Sequence, residues 1–112
     1  MATSSEEIAV GHVKRSGFRA GEYPPWAISV GRPSVLGNPF RIGPDGDREE
    51  CIAKFAAWLD AQLADPGSAA ARKMAALRKL LARHGHLTLF CWCAPLPCHA
   101  EVIRARLLAV AP

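Results

Sequence analysis

The chain has 112 residues, of which half are apolar and 21% are charged, and its formal net charge is +4. This composition indicates one packed globular domain and excludes a disordered chain, so we predict a single domain over residues 1–112 with a flexible N-terminus at residues 1–7. The small positive charge is compatible with an anionic partner such as a phosphate or a nucleic acid. No stretch is apolar for long enough to span a membrane, so no membrane partner is expected.

The N-terminal residues include two acids and lack the apolar stretch of a signal peptide, so we expect a cytoplasmic protein. Thiols in that compartment stay reduced. The four cysteines are therefore expected to be thiols or metal ligands rather than disulfides.

Two runs rich in β-branched residues predict strands over residues 8–14 and 26–30, with a loop containing Gly and Pro between them. The second strand leads into residues 31–40. Two prolines and two glycines exclude a regular element there and predict an ordered loop.

Helical patterns dominate the middle of the chain. Asp47 is a suitable N-cap before the acids Glu49 and Glu50, and apolar residues recur at helical spacing over residues 52–63. A break at residues 65–68 separates this helix from a second one over residues 69–83. Phe55 and Trp58 are expected to pack in the core.

Residues 87–92 predict a buried strand, and residues 100–110 predict a last helix. The order β-β-α-α-β-α predicts an α/β fold in which helices flank a small mixed sheet of three to four strands. A Rossmann-like crossover would make the last strand parallel to the second. Ligands bind beyond the carboxyl ends of such strands, so the loops at residues 31–40 and 93–99 should meet at one edge.

The most unusual segment is Cys91-Trp92-Cys93-Ala94-Pro95-Leu96-Pro97-Cys98-His99. In one hypothesis Cys93 or Cys98 is a catalytic nucleophile and His99 is its base or orients the substrate, because a helix start stabilises a thiolate or a phosphate. In a second hypothesis, zinc binds to four ligands, namely Cys91, Cys93, Cys98 and His99. Their spacing is not that of a familiar zinc finger. In a third, the cysteines only fill space between a strand and a helix.

The loop at residues 31–40 offers substrate-binding groups in Arg32, Ser34 and Asn38, because guanidinium, hydroxyl and amide groups bind phosphate or carboxylate. The alternative is a structural loop in which Asn38 bonds the backbone and Arg32 pairs with Asp45 or Glu49. Arg48 with Glu49, near the start of the first helix, could also face the edge where the loops meet, but we expect the two residues to form a solvated capping pair.

Cys51, inside the first helix, is expected to be a core or boundary residue. The glycine spacing of the loop matches neither a Walker loop nor a dinucleotide fingerprint.

Two segments together resemble the family called domain of unknown function 4326 (DUF4326), small proteins of bacteria and phages. The matching residues are Val30-Gly31-Arg32-Pro33-Ser34, Leu36-Gly37-Asn38-Pro39-Phe40, Arg48-Glu49-Glu50, Cys91-Trp92-Cys93-Ala94-Pro95 and Cys98-His99-Ala100. The resemblance implies that both loops form one site, and the association with phages suggests nucleotide or nucleic-acid chemistry.

Our leading hypothesis is a small enzyme that binds a phosphate-bearing substrate, a nucleotide or nucleoside-like molecule, at the carboxyl edge of the sheet. It would act by Cys/His-based hydrolysis or group transfer. The alternative is a zinc-stabilised module that binds nucleic acid or protein without catalysis, so the expected cofactor is either none or zinc. An open sheet edge makes a homodimer plausible.

Overall fold

A computed structural model of the chain describes residues 8–12, 23–32, 34–91 and 98–109. The predicted flexible N-terminus and Cys93 lie outside these residues. In chain order the elements are β1 (Ile8–His12), β2 (Ala27–Ser29), α1 (Arg48–Leu63), α2 (Ala69–His84), β3 (Leu87–Cys91) and α3 (His99–Ala109). The predicted α/β class is confirmed.

The three strands form one sheet in the order β1-β3-β2, so the last strand lies between the first two. Both pairs are parallel, with Ile8 opposite Leu87 and Ala27 opposite Thr88. The prediction of a mixed sheet is therefore wrong, and the described residues contain no fourth strand. Because β3 separates β1 from β2, no hairpin forms between these consecutive strands, and an antiparallel pair does not arise.

Local signals explain where the helices begin and end. The Asp47 side chain accepts from the Glu50 backbone N–H, and the Glu50 side chain accepts from the Asp47 N–H, which completes a capping box before α1. Ser68 caps α2 through the Ala71 N–H, and Gly85 ends that helix with a left-handed φ of 78°. These caps agree with the predicted helix boundaries to within one or two residues.

The core lies where the helices pack against one face of the sheet. Leu87, Leu89 and Cys91 alternate along β3 and are buried together with residues from all three helices. Phe55 of α1 is fully buried, while Trp58 is partly buried against the same cluster. No helix in the described part of the chain is long and apolar enough to cross a membrane.

Candidate functional site

A pocket of about 330 Å³ lies where the chain leaves β2 and enters α3. The Val30 N–H, just after β2, donates to the Phe90 carbonyl at 2.9 Å and extends the sheet to this point. The pocket is therefore at the carboxyl ends of β2 and β3, the edge where parallel sheets bind ligands. It is lined by Gly31, Arg32, Asn38, Phe40, Ile42, Arg48, Cys51, Ile52, Cys98 and His99.

The loop after β2 reaches the pocket through two consecutive turns. The Ser34 N–H donates to the Gly31 carbonyl at 2.9 Å, and the Gly37 N–H donates to the Ser34 carbonyl at 2.8 Å. The Ser34 hydroxyl accepts from the Leu36 N–H at 3.2 Å, and fully buried Leu36 anchors the loop in the core. Ser34, predicted to bind substrate, instead supports the turn and is not among the described residues that line the pocket.

Gly37 lets the loop fold closely onto Arg32. A Cβ atom at Gly37 would lie 3.0 Å from the backbone N and Cα of Arg32 and 3.0 Å from its Cγ. Contacts of that length require the neighbouring atoms to move. The glycine therefore determines where the Arg32 backbone lies, and with it the base of the arginine side chain.

Asn38 ties the loop to α1. Its Oδ1 accepts from the Phe40 N–H at 2.9 Å, and its Nδ2 donates to the Cys51 carbonyl at 3.3 Å. The backbone bonding that we considered as the alternative for Asn38 is thus present. The amide still lines the pocket, and it holds Phe40 and the following residues beside the first turns of α1.

Two arginines make the pocket positive. The guanidinium of exposed Arg32 has no hydrogen bond or ion pair with any described residue, so the alternative pairing with Asp45 or Glu49 is not present. Arg48, which we expected in a solvated capping pair, is half-buried and lines the same pocket. None of the described lining residues is acidic. The electrostatic field in the pocket therefore favours an anion.

Among the described residues that line the pocket, His99 is the one buried residue with a polar side chain other than a thiol, and 7% of its surface is exposed. Its Nε2 donates to the Val30 carbonyl at 2.6 Å, and its ring contacts Phe55 edge-on with centroids 5.0 Å apart. Burial lowers the pKa of His99, and the positive charge of Arg32 lowers it further, against an opposing effect of the bond to Val30. The imidazole is therefore neutral near pH 7, with its proton on Nε2.

The second ring nitrogen, Nδ1, is the acceptor in this tautomer. It has no hydrogen-bond partner among the described residues, and among these no fully buried side-chain nitrogen or oxygen lacks one. Nδ1 therefore keeps contact with accessible space, and the space that His99 lines is the pocket. A hydroxyl group or water in the pocket is a suitable donor to it.

Cys98 lies just before α3 and also lines the pocket. Its Sγ accepts from the Ala100 N–H at 3.3 Å, as an N-cap side chain does, and lies 2.9 Å from the Sγ of Cys91. No hydrogen bond joins the side chains of Cys98 and His99 among the described residues. The structure thus places Arg32, Asn38, Cys98 and His99 in one pocket, without a direct Cys98–His99 pair.

The predicted zinc ligands are only partly described, because Cys93 lies outside the described residues. Among those that are described, no three His, Cys, Asp or Glu residues are grouped to hold a metal. The Nε2 atom of His99 is engaged by Val30, so only Nδ1 is available as a ligand. The zinc hypothesis therefore depends on Cys93.

Helix α1 contributes to the pocket, and of its lining residues only Arg48 was considered at this edge from the sequence, as the less favoured alternative. Arg48, Cys51 and Ile52 lie three and four residues apart, on one side of the first turns of the helix. That spacing was a usable signal, because α1 begins directly after the loop that carries Arg32 and Asn38.

The described edge of the sheet therefore joins the same segments that carry the sequence motifs. The family described as domain of unknown function (DUF4326) matches residues 13–109, most of the chain. The chain belongs to the DUF4326 family. No curated protein and no solved structure matches this DUF4326 protein.

Proposed function

We propose that this DUF4326 protein is a small enzyme that binds a phosphate-bearing substrate, a nucleotide or nucleoside-like molecule, in the pocket at the carboxyl edge of the sheet. One observation carries the proposal: Arg32 and Arg48 line the same pocket, and no described lining residue is acidic. A guanidinium group binds phosphate oxygens through two parallel hydrogen bonds, which gives both affinity and orientation.

The rest of the pocket supports a ligand with one charged end and one apolar end. Phe40, Ile42 and Ile52 supply an apolar wall against which a planar base can pack. The volume of about 330 Å³ is at the lower end of the range of about 300–1,000 Å³ for small-molecule sites. A mononucleotide fits this description better than a polymer.

His99 is the proposed acid–base group. Its Nδ1 would take a proton from a water or substrate hydroxyl, while the Val30 carbonyl holds the ring in place. A base that is neutral near pH 7 suits this role. The reaction would be hydrolysis or group transfer at a glycosidic or phosphoryl centre. Cys98, and Cys93 outside the described residues, remain the proposed thiol groups of the site.

We also propose the handedness of the strand connection, the cellular location and the oligomeric state of the enzyme. The connection from β2 through α1 and α2 to β3 would be a right-handed, Rossmann-like crossover, as nearly all such connections between parallel strands are. A cytoplasmic location would keep the cysteines as thiols, as the proposed thiol chemistry requires. Strands β1 and β2 lie at the sheet edges, where a second copy could pair to form a homodimer.

Isothermal titration calorimetry with adenosine, adenosine monophosphate and inorganic phosphate tests the binding proposal. If adenosine monophosphate binds, monophosphates of the other bases are tested next. We expect the monophosphate to bind more tightly than the nucleoside. Arg32→Gln and Arg48→Gln should each weaken monophosphate binding by about 10- to 150-fold, the equivalent of a charged hydrogen bond worth roughly 1.5–3 kcal/mol.

Arg72→Gln is the matched control, because Arg72 is an exposed residue of α2 that does not line the pocket. It removes the same charge and should leave binding unchanged. Equal affinity for nucleoside and monophosphate, or equal weakening by Arg72→Gln, would contradict the proposal.

The second candidate is a zinc-stabilised module that binds nucleic acid or protein without catalysis. The close approach of Cys91 and Cys98, at 2.9 Å between sulfur atoms, supports it, because two thiolates in proximity attract soft metals. Elemental analysis of protein purified without added zinc tests this candidate. One zinc per chain, with loss of the fold on chelation, would favour it over the free-thiol enzyme.

A further inference from the structure

We propose that Cys91 and Cys98 form a reversible disulfide when the protein meets hydrogen peroxide, with Cys98 as the thiol that reacts first. The two sulfur atoms are already in contact at 2.9 Å. A disulfide has a bond length of about 2.05 Å, so the sulfur atoms need to approach by less than about 1 Å. The proposal concerns the pair itself and does not depend on the proposed function.

Both cysteines are buried, with 2% of the surface of Cys98 exposed, and they differ in whether they line the pocket. Cys98 lines the pocket, so a molecule as small as peroxide can reach it by that route. Cys91, at the end of β3, is 1% exposed and is not among the described lining residues. This difference sets the order of the reactions. Peroxide oxidises the Cys98 sulfur first, and the buried Cys91 thiol then attacks the oxidised sulfur.

The start of α3 favours the reactive form of Cys98. The Ala100 N–H points at its sulfur at 3.3 Å, and the positive end of the helix dipole lies at the same place. Both interactions stabilise the negative charge of a thiolate, and the thiolate is the species that attacks peroxide. A second observation, the neighbouring sulfur of Cys91, supplies the resolving group.

The chemistry balances with one peroxide molecule. The Cys98 sulfur attacks one peroxide oxygen, the O–O bond breaks, and the departing hydroxide takes a proton to become water, which leaves a sulfenic acid at Cys98. The Cys91 sulfur then attacks the Cys98 sulfur, the S–O bond breaks, and the departing hydroxide takes the Cys91 thiol proton. Both sulfurs are oxidised by one electron each, peroxide is reduced to two waters, and a thiol reductant reverses the bond.

Cys51 serves as an internal comparison. It is a buried cysteine that also lines the pocket, but its thiol donates to the Gly46 carbonyl at 3.7 Å and it has no sulfur partner among the described residues. Peroxide can oxidise it to a sulfenic acid but not to an internal disulfide with a described residue. Cys51→Ser should therefore leave disulfide formation unchanged.

The test uses the 112-residue chain with Cys93→Ser, which leaves three cysteines and removes the one other cysteine close in sequence to the pair. Treatment with peroxide should lower the intact mass by about 2 Da, the loss of two hydrogens, and leave one alkylatable thiol. Dithiothreitol should restore all three thiols. Three alkylatable thiols after treatment, with no loss of mass, would overturn the proposal.

Two further variants in this background test the roles of the pair. Cys98→Ser should abolish disulfide formation, and Cys91→Ser should stop the reaction at a sulfenic acid on Cys98 that dimedone traps. Persistence of a disulfide in either variant would overturn the assignment, as would a dimedone adduct on Cys51 alone. Circular dichroism checks the fold. If a variant fails to fold, thiol counting in the Cys93→Ser parent still decides whether the bond forms.

Discussion

Two substitutions of His99 distinguish the effect of its hydrogen bond on stability from the effect of its protonation on stability. His99→Gln keeps an N–H donor that can reach the Val30 carbonyl, whereas His99→Phe keeps a ring against Phe55 and removes the donor. The orphaned carbonyl is buried, and an unsatisfied group of this kind destabilises by about 1–3 kcal/mol. We expect His99→Phe to lower the free energy of unfolding by that amount at pH above 7, and His99→Gln by less than about 1 kcal/mol.

The same residue predicts a pH dependence. Burial lowers the pKa of His99 in the folded protein, so below about pH 6.5 the unfolded chain binds a proton that the folded chain does not. The stabilising effect of neutral His99 is therefore fully present above the unfolded pKa and is lost as the pH falls towards the folded pKa. The slope from one such group is at most about 1.4 kcal/mol per pH unit.

Urea unfolding at several pH values between about 7.5 and about 5.5 measures both effects. Asp60, whose pKa is lowered chiefly by the hydrogen bond from Arg106, contributes only at more acidic pH. His84→Gln removes a histidine outside the pocket and is the matched control. The reasoning is refuted if His99→Gln keeps the full wild-type slope below about pH 6.5, or if His99→Phe is as stable as the wild type.

Two further substitutions test the elements that form the pocket. Gly37→Ala should destabilise the protein by about 1–3 kcal/mol and weaken monophosphate binding, because the new Cβ would lie 3.0 Å from Arg32 atoms. Gly67→Ala, whose Cβ would have only an ordinary 3.4 Å contact, is the control, and equal effects of the two in thermal melts and titrations would contradict this argument. Asp47→Ala should lower stability by about 0.5–2 kcal/mol through loss of the capping box with Glu50, and an unchanged urea midpoint would contradict it.

The elements were predictable because their ends carry local chemical signals. Asp47, Ser68 and Gly85 act within a few residues of themselves, so the sequence reveals where α1 and α2 begin and where α2 ends. The order of the strands in the sheet, in contrast, was not predictable from local signals. Whether β3 pairs outside β2 or inserts between β1 and β2 depends on contacts between residues far apart in sequence, and no local pattern encodes it.

The structure places residues of the loop after β2 beside Cys98 and His99, and this was predictable from the connection between parallel strands, which brings successive carboxyl ends to one edge. The contribution of Cys51 was not predicted, and that of Arg48 was only the less favoured alternative, because both depend on how α1 is rotated about its axis. A capping box and an apolar stripe identify the helix, yet the stripe leaves the faces at its margins undecided. Arg48 lies at such a margin, and only the packed structure directs it to the pocket.

The geometry of α3 explains why Cys98 and His99 do not act as a direct pair. Cys98 lies just before α3 and His99 is its first residue, and side chains adjacent in sequence at a helix start do not face each other. His99 extends to the Val30 carbonyl and the Phe55 ring, whereas Cys98 extends to the Cys91 sulfur. The proposed nucleophile and the proposed base are adjacent in sequence, but their side chains are thus directed apart. Acid–base chemistry and thiol chemistry in this pocket should therefore respond to different substitutions.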